Sequence, residues 1–122
     1  FPRYHIENND LRGSFSELTR AFSMGQTSFS ITKKGVIRGN HFHTRKIERF
    51  SVIKGKAKIE LREILSDEKI EFVIDGAKPS YIDIPVWHTH NIENIGDEDL
   101  ITVFWTNEHY KDETSDTYIE NV

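Results

Sequence analysis

Four of the six histidines in this 122-residue sequence fall in two short stretches. "NHFH" (40–43) sets His41 and His43 two residues apart, with Glu48 five residues further on, and "WHTH" (87–90) adds His88 and His90. Imidazole nitrogen combined with carboxylate oxygen suits zinc, iron, manganese, nickel or cobalt, and this donor set does not choose among them. On a strand, residues i and i+2 share a face, so His41 and His43 point the same way. Glu48 has the wrong parity for one unbroken strand. Residues Thr44 to Ile47 must therefore turn the chain, making Glu48 a neighbour of the histidines across a hairpin, and a fourth ligand must come from elsewhere. The plain alternative is a polar strand that happens to carry histidine.

The elements that would position these residues are strands. Apolar alternation recurs in short segments separated by turn residues, and helical spacing shows only over Phe15 to Phe22. Ala57, Ile59 and Leu61, then Ile70, Phe72 and Ile74 after the polar turn at 66–69, predict a hairpin that ends at Gly76. A further strand fits Tyr81 to Ile84, stopped by Pro85, and another pair fits His90 to Ile95 and Leu100 to Thr106 around Gly96-Asp97-Glu98. Seven or more such strands predict an all-β sandwich or closed barrel.

The length allows one domain with one core, spanning residues 1–122. Sixteen basic against twenty acidic residues give no case for bulk nucleic-acid or membrane binding. The distribution is uneven: ten of the sixteen basic residues lie between Lys33 and Arg62, and eight acids lie between Asp97 and Val122. Lys56, Lys58 and Arg62 alternate with Ala57, Ile59 and Leu61 and read as the wet face of a strand. Arg38 stands outside that pattern and is a candidate for an anion. The absence of cysteine removes disulfide and thiolate chemistry and fits a cytoplasmic protein. No apolar run reaches membrane-spanning length. The chain opens on Phe1 rather than methionine, which suggests a domain cut from a longer protein.

Gly35, five residues, His41-x-His43, four residues, Glu48, six residues and Gly55 resemble the first motif of the cupin superfamily at every fixed position. Gly76, Pro85, His90 and Asn94 are similar to the second, with a longer gap after Gly76 and Trp87 where the family has glycine. The resemblance implies a double-stranded β-helix, a jelly-roll-like barrel, with His41, His43, Glu48 and His90 as metal ligands and His88 left over. "DLRGSFSE" (10–17) and "QTSFSITKKGVIRGNHFH" (26–43) resemble the deoxythymidine-diphosphate-4-keto-6-deoxyhexose 3,5-epimerases. That likeness implies a nucleotide site at Arg12, Phe15, Glu17 and Gln26, with Arg38 on the diphosphate. In those enzymes the histidine matching His41 is the base, usually without metal, and the catalytic tyrosine near the chain end has no clear equivalent in "VFWTNEHY" (103–110).

The whole chain, through "SDTYIENV" (115–122), resembles the C-terminal cupin domains of bacterial capsular-polysaccharide enzymes of the CapF type. That resemblance implies zinc, a UDP-sugar substrate and a homodimer. It also implies C3 epimerisation of a 4-keto sugar on the way to UDP-N-acetyl-L-fucosamine, followed by reduction in an N-terminal short-chain dehydrogenase domain that uses NADPH. A proton on C3 beside a C4 carbonyl is acidic because its loss gives an enolate, which zinc or preorganised donors stabilise. A base removes it and an acid returns it on the other face. His88, Lys46 and Tyr81 are the candidates, with His88 preferred for adjoining the ligand strand. Two readings compete: a non-catalytic, metal-stabilised cupin module that binds a sugar nucleotide and dimerises, and an iron-dependent dioxygenase.

Overall fold

The computed structural model describes residues 1–122. The elements are β1 (Glu7–Asp10), β2 (Gly13–Arg20), β3 (Gln26–Thr32), β4 (Ile37–Phe42), β5 (Glu48–Lys54), β6 (Lys56–Glu63), β7 (Lys69–Asp75), β8 (Ser80–Ile84), β9 (His88–Asn94), β10 (Leu100–Thr106) and β11 (Tyr118–Ile119), with one 3₁₀ turn at Asp112–Thr114. They form two antiparallel sheets, ordered β1-β2-β3-β10-β5-β8 and β11-β4-β9-β6-β7. This is the all-β, double-stranded β-helix architecture that the cupin resemblance implies.

The predicted hairpin forms as β6 and β7, with Ala57 opposite Ile74, Ile59 opposite Phe72 and Leu61 opposite Ile70. Three expectations give way. Residues 13–20 form a strand along β3, not a helix, with Phe15 opposite Ser30 and Glu17 opposite Ser28. The strands either side of Gly96-Asp97-Glu98 both exist, yet β9 pairs with β4 and β6 while β10 pairs with β3 and β5. The turn at 44–47 likewise carries the chain from one sheet to the other, so β4 and β5 face each other rather than form a hairpin. Alternation identifies a strand and its buried face, but it carries no label for the partner.

Packing divides the barrel into two halves. Phe50 and Val52 of β5, Ile84 of β8 and Leu100 and Phe104 of β10 meet Ala57, Ile59 and Leu61 of β6, Ile74 of β7 and Ile92 of β9 in one apolar cluster. The other half is walled by β3, whose buried face is Gln26, Ser28, Ser30 and Thr32. A polar inner wall cannot close on itself as an apolar one does, and this half holds the cavity. Gly55 joins the two sheets. It alone turns the chain from β5 into β6, at φ +90°, where a Cβ would lie 2.9 Å from the carbonyl oxygen of Asp99.

Candidate metal centre

His41 comes from β4, His43 from the residue after it, Glu48 from the first position of β5 and His90 from the middle of β9. β4 and β9 are neighbours, with His41 directly opposite His90. Gly39 makes room for this pairing: at φ +108° its position would put a Cβ 2.7 Å from the carbonyl oxygen of His90. Glu48 reaches the three imidazoles from the opposing sheet. One candidate ligand atom from each residue lies within 4.8 Å of the others, and His43 and His90 are almost wholly buried. Phe50 packs edge-on against the His90 ring at 5.5 Å and forms the apolar floor.

The hydrogen-bond pattern shows which nitrogens are available. Nδ1 of His43 lies 2.7 Å from the carbonyl oxygen of Asp116, and Nδ1 of His90 lies 3.0 Å from that of His88. A carbonyl only accepts, so each Nδ1 carries the hydrogen and donates, and each Nε2 turns inward. Both Nε2 atoms and Oε1 of Glu48 are buried without a protein hydrogen bond of acceptable geometry. His43 Nε2 touches Glu48 Oε1, and His90 Nε2 stands 3.6 Å from it. Lone pairs facing one another repel unless positive charge lies among them, so the residues fit a divalent cation.

The charges agree with this. Burial, then the neighbouring His90, pushes His41 down to about 3, so its imidazole is neutral at physiological pH. Burial works to raise the Glu48 carboxyl, and only hydrogen or positive charge between it and the facing His43 and His90 rings holds it below the usual carboxylate range. Three imidazole nitrogens and one carboxylate oxygen form the His₃Glu set that the cupin resemblance implies.

A cavity of about 780 Å³ opens above this set, and His41, His43, Glu48 and His90 all line it. Arg12, Phe15, Glu17, Gln26 and Arg38 line it as well. Arg12 is held by Asp10 through Nη2 at 2.6 Å, and that guanidinium lowers the Asp10 carboxyl to about 2. Arg38 is half-buried and donates to Thr32 Oγ1 at 2.8 Å and to the carbonyls of Ser14 and Ile31, with no carboxylate opposite. A partly desolvated guanidinium without a counter-anion is a suitable receptor for phosphate. Phe15 lies 5.8 Å from Phe104, Glu17 pairs with Arg20, and the buried Gln26 accepts from the backbone N–H of Tyr110.

The three proton-transfer candidates separate in space. Lys46 is buried, lines the cavity and sits 5.9 Å from the centre of the Tyr110 ring. His88 does not line the cavity; its Nδ1 donates to the carbonyl of Val86 at 2.9 Å. Tyr81 is exposed on the far edge of β8, stacked on Arg49 at 3.9 Å. Sequence reasoning passed over Tyr110, Phe104 and Asp116. Tyr110 follows the last long strand and does not keep the spacing of the epimerases' catalytic tyrosine, whereas Asp116 acts on residues about seventy positions earlier, beyond any local signal.

Two motif positions gain a physical reason. Trp87, where the second cupin motif has glycine, holds φ +59°, the left-handed conformation that glycine adopts without cost. Its ring stacks on Phe42 at 5.9 Å, and its N–H donates to the carbonyl of His43 at 2.7 Å. Asn94 is fully buried and bridges the sheet crossing, donating to the carbonyls of Thr32 and Glu98 and accepting from Gly96.

A His₃Glu set that could hold a metal ion lies inside a cupin-like double-stranded β-helix. Residues 8–118 match the polysaccharide biosynthesis C-terminal domain, and the chain belongs to that family. It is 43% identical to the capsular polysaccharide assembling protein CapF of Staphylococcus aureus, whose crystal structure superposes with a TM-score of 0.97 over 100% of this chain and 33% of that one. It is 39% identical over 112 residues to the UDP-2-acetamido-2,6-beta-L-arabino-hexul-4-ose reductase of Pseudomonas aeruginosa, covering 91% of this chain and 30% of the relative. The chain thus spans about a third of the length of each. An oxalate decarboxylase of Lactobacillus farciminis, at 19% identity, shares the fold alone, with a TM-score of 0.73 over 85% of this chain and 31% of that one.

Proposed function

We propose that this chain is a metal-dependent epimerase domain acting at C3 of a UDP-linked 4-keto-6-deoxy-N-acetylhexosamine in capsular polysaccharide synthesis. The observation that carries the reading is the joint placement, in one cavity, of the convergent His₃Glu set and the Arg38 guanidinium, which has no salt-bridged carboxylate. The relatives support the substrate class: one is named for a UDP-linked 4-keto sugar of L-arabino configuration, and another for assembling capsular polysaccharide. A further CapF structure, also 43% identical, is a complex with the inhibitor 3-isopropenyl-tropolone, a hydroxy-ketone whose adjacent oxygens suit chelation of a divalent ion.

His41, His43, Glu48 and His90 would hold the ion, with zinc the proposed occupant. When bound, it supplies Lewis-acid stabilisation of the negative charge that develops on the C4 oxygen as the C3 proton leaves. Arg38 and Arg12 orient the diphosphate, and Phe15 offers a ring for the uracil to stack on. Lys46 and Tyr110 are the proposed proton-handling pair, one taking the C3 proton and the other returning one to the opposite face. His88 and Tyr81 would have to move to take part.

The remaining proposals follow from the relatives' greater length. The domain works beside an N-terminal short-chain dehydrogenase domain that reduces the epimerised ketone with NADPH, in the cytoplasm, where nucleotide sugars and NADPH are found. It pairs as a homodimer through its N-terminal arm.

Proton exchange tests the core of the reading. The zinc-loaded chain, given the 4-keto UDP-sugar in deuterated water, is expected to exchange the C3 hydrogen, and Lys46→Met is expected to slow that exchange by about 100-fold or more. Absence of exchange with the zinc-loaded protein, or full exchange after zinc is stripped, would overturn it.

A further inference from the structure

Asp116 lies outside the histidine and glutamate motifs and outside the barrel strands, two residues before β11, at φ +52°. Its carboxylate is nevertheless wholly buried and accepts bonds from one turn only. The backbone N–H groups of Thr44, Arg45 and Lys46 donate to it at 3.1, 2.9 and 3.0 Å, and Thr44 Oγ1 donates at 2.6 Å. These residues form the turn that carries the chain from His43 to Glu48. The carbonyl of the same residue accepts from Nδ1 of His43 at 2.7 Å.

A turn that crosses between two sheets has no ladder partner for its N–H groups, and buried N–H groups need acceptors. Asp116 supplies acceptors for three consecutive ones. The tail around it is fastened at intervals: β11 pairs with β4 opposite Phe42 and His41, Thr89 donates to the carbonyl of Glu120, and Arg62 donates to that of Asn121 at 2.8 Å. Ser115, Thr117 and Ile119 line the cavity beside the metal set.

We propose that Asp116 is a positioning residue for the metal set: its carboxylate fixes the turn between His43 and Glu48, and its carbonyl aims the imidazole of His43. The C-terminal tail, acting from outside the barrel, thereby sets the geometry of two of the four ligands and the direction of Lys46. The inference rests on the metal reading above and adds to it a residue that touches neither ion nor substrate.

Three variants of the full chain test it, with cobalt(II) as the metal probe. Asp116→Gly keeps the left-handed backbone and removes the carboxylate; Asp116→Asn keeps the backbone and one acceptor oxygen; Thr44→Val removes the side-chain bond alone. Asp116→Gly is expected to weaken cobalt binding by about tenfold or more, while Asp116→Asn recovers most of the loss. At saturating cobalt the visible d–d bands of the Gly variant are expected to shift, a change in ligand geometry that lower stability alone does not produce. In the metal-free protein, the Nδ1–H resonance of His43 is expected to exchange with solvent about tenfold faster in the Gly variant than in the wild type.

Cobalt affinity within about threefold of wild type, with unchanged bands and unchanged Nδ1–H exchange, would overturn the proposal. Should Asp116→Gly fail to fold, Thr44→Val decides: weaker binding with shifted bands supports it, and wild-type values refute it. Wild-type protein that binds no cobalt would sink the metal reading instead, and the Nδ1–H exchange would still judge Asp116.

Discussion

His41, His43 and His90 share one small volume but are governed by different neighbours, and the difference has a measurable consequence. His43 and His90 each donate Nδ1–H to a carbonyl, whereas His41 is kept neutral chiefly by burial, which lowers it to about 3. An unfolded chain takes up a proton at that imidazole near its ordinary 6.5, while the folded metal-free chain refuses it until about 3. Acid therefore favours unfolding across that interval. The depressed carboxylates of Glu48 and Asp116 act in the same direction, but only below the ordinary carboxylate range, so the upper part of the interval belongs to His41. Urea unfolding of the metal-free protein is expected to lose roughly 2–3 kcal/mol between about pH 6.5 and 4.5. A midpoint that stays level over that range would mean the imidazole is solvated.

Among the elements, the sheet crossings carry the site, and each depends on a particular residue. Gly55 turns β5 into β6 at φ +90°, and a methyl group there would meet backbone atoms of Asp99 and Leu100 at 2.9 and 3.0 Å. Neither the dihedral nor the rigid neighbours can yield cheaply. Gly55→Ala is expected to cost about 2 kcal/mol or more in denaturant unfolding, with metal affinity falling because β5 carries Glu48. A loss under about 0.5 kcal/mol would show that the corner is pliable. These crossings also mark the limit of what the chain discloses locally. The spacing of Gly35, His41, His43, Glu48 and Gly55 carries the resemblance that implies the ligand set, and the β6–β7 hairpin was legible from alternation and a polar turn. The partners of β4, β5, β9 and β10 were not, because a short polar loop reads alike whether it closes a hairpin or changes sheets. The strand at 13–20 was hidden for a related reason: its serines are buried and its Phe15 faces a cavity, which inverts the usual apolar-in pattern.

For the whole molecule, the N-terminal arm combines exposed apolar side chains with a free sheet edge. Phe1, Tyr4, Ile6 and Leu11 are exposed, and β1 forms one of the two edges of the six-stranded sheet, β8 forming the other. Exposed apolar side chains along a free edge are what a partner strand would cover. Sedimentation velocity is expected to show a dimer that becomes monomeric in an Ile6→Asp, Leu11→Asp double variant. A monomeric wild type at about micromolar concentration would refute the proposed homodimer.

The linear order of residues was enough to determine the all-β class and the pairing of His41 with His43, because strand periodicity is a local property that survives without a partner. The fold family and the full set of four candidate ligands came from the cupin resemblance of the motifs. Tertiary structure decided the rest. It brought Glu48 to the histidines from the opposing sheet, buried Lys46 beside them and left His88 and Tyr81 outside the cavity. It also placed Asp116 under the ligand turn. These outcomes depend on which strands pair and where the C-terminal tail returns, contacts made across many tens of residues whose closure only the folded barrel provides.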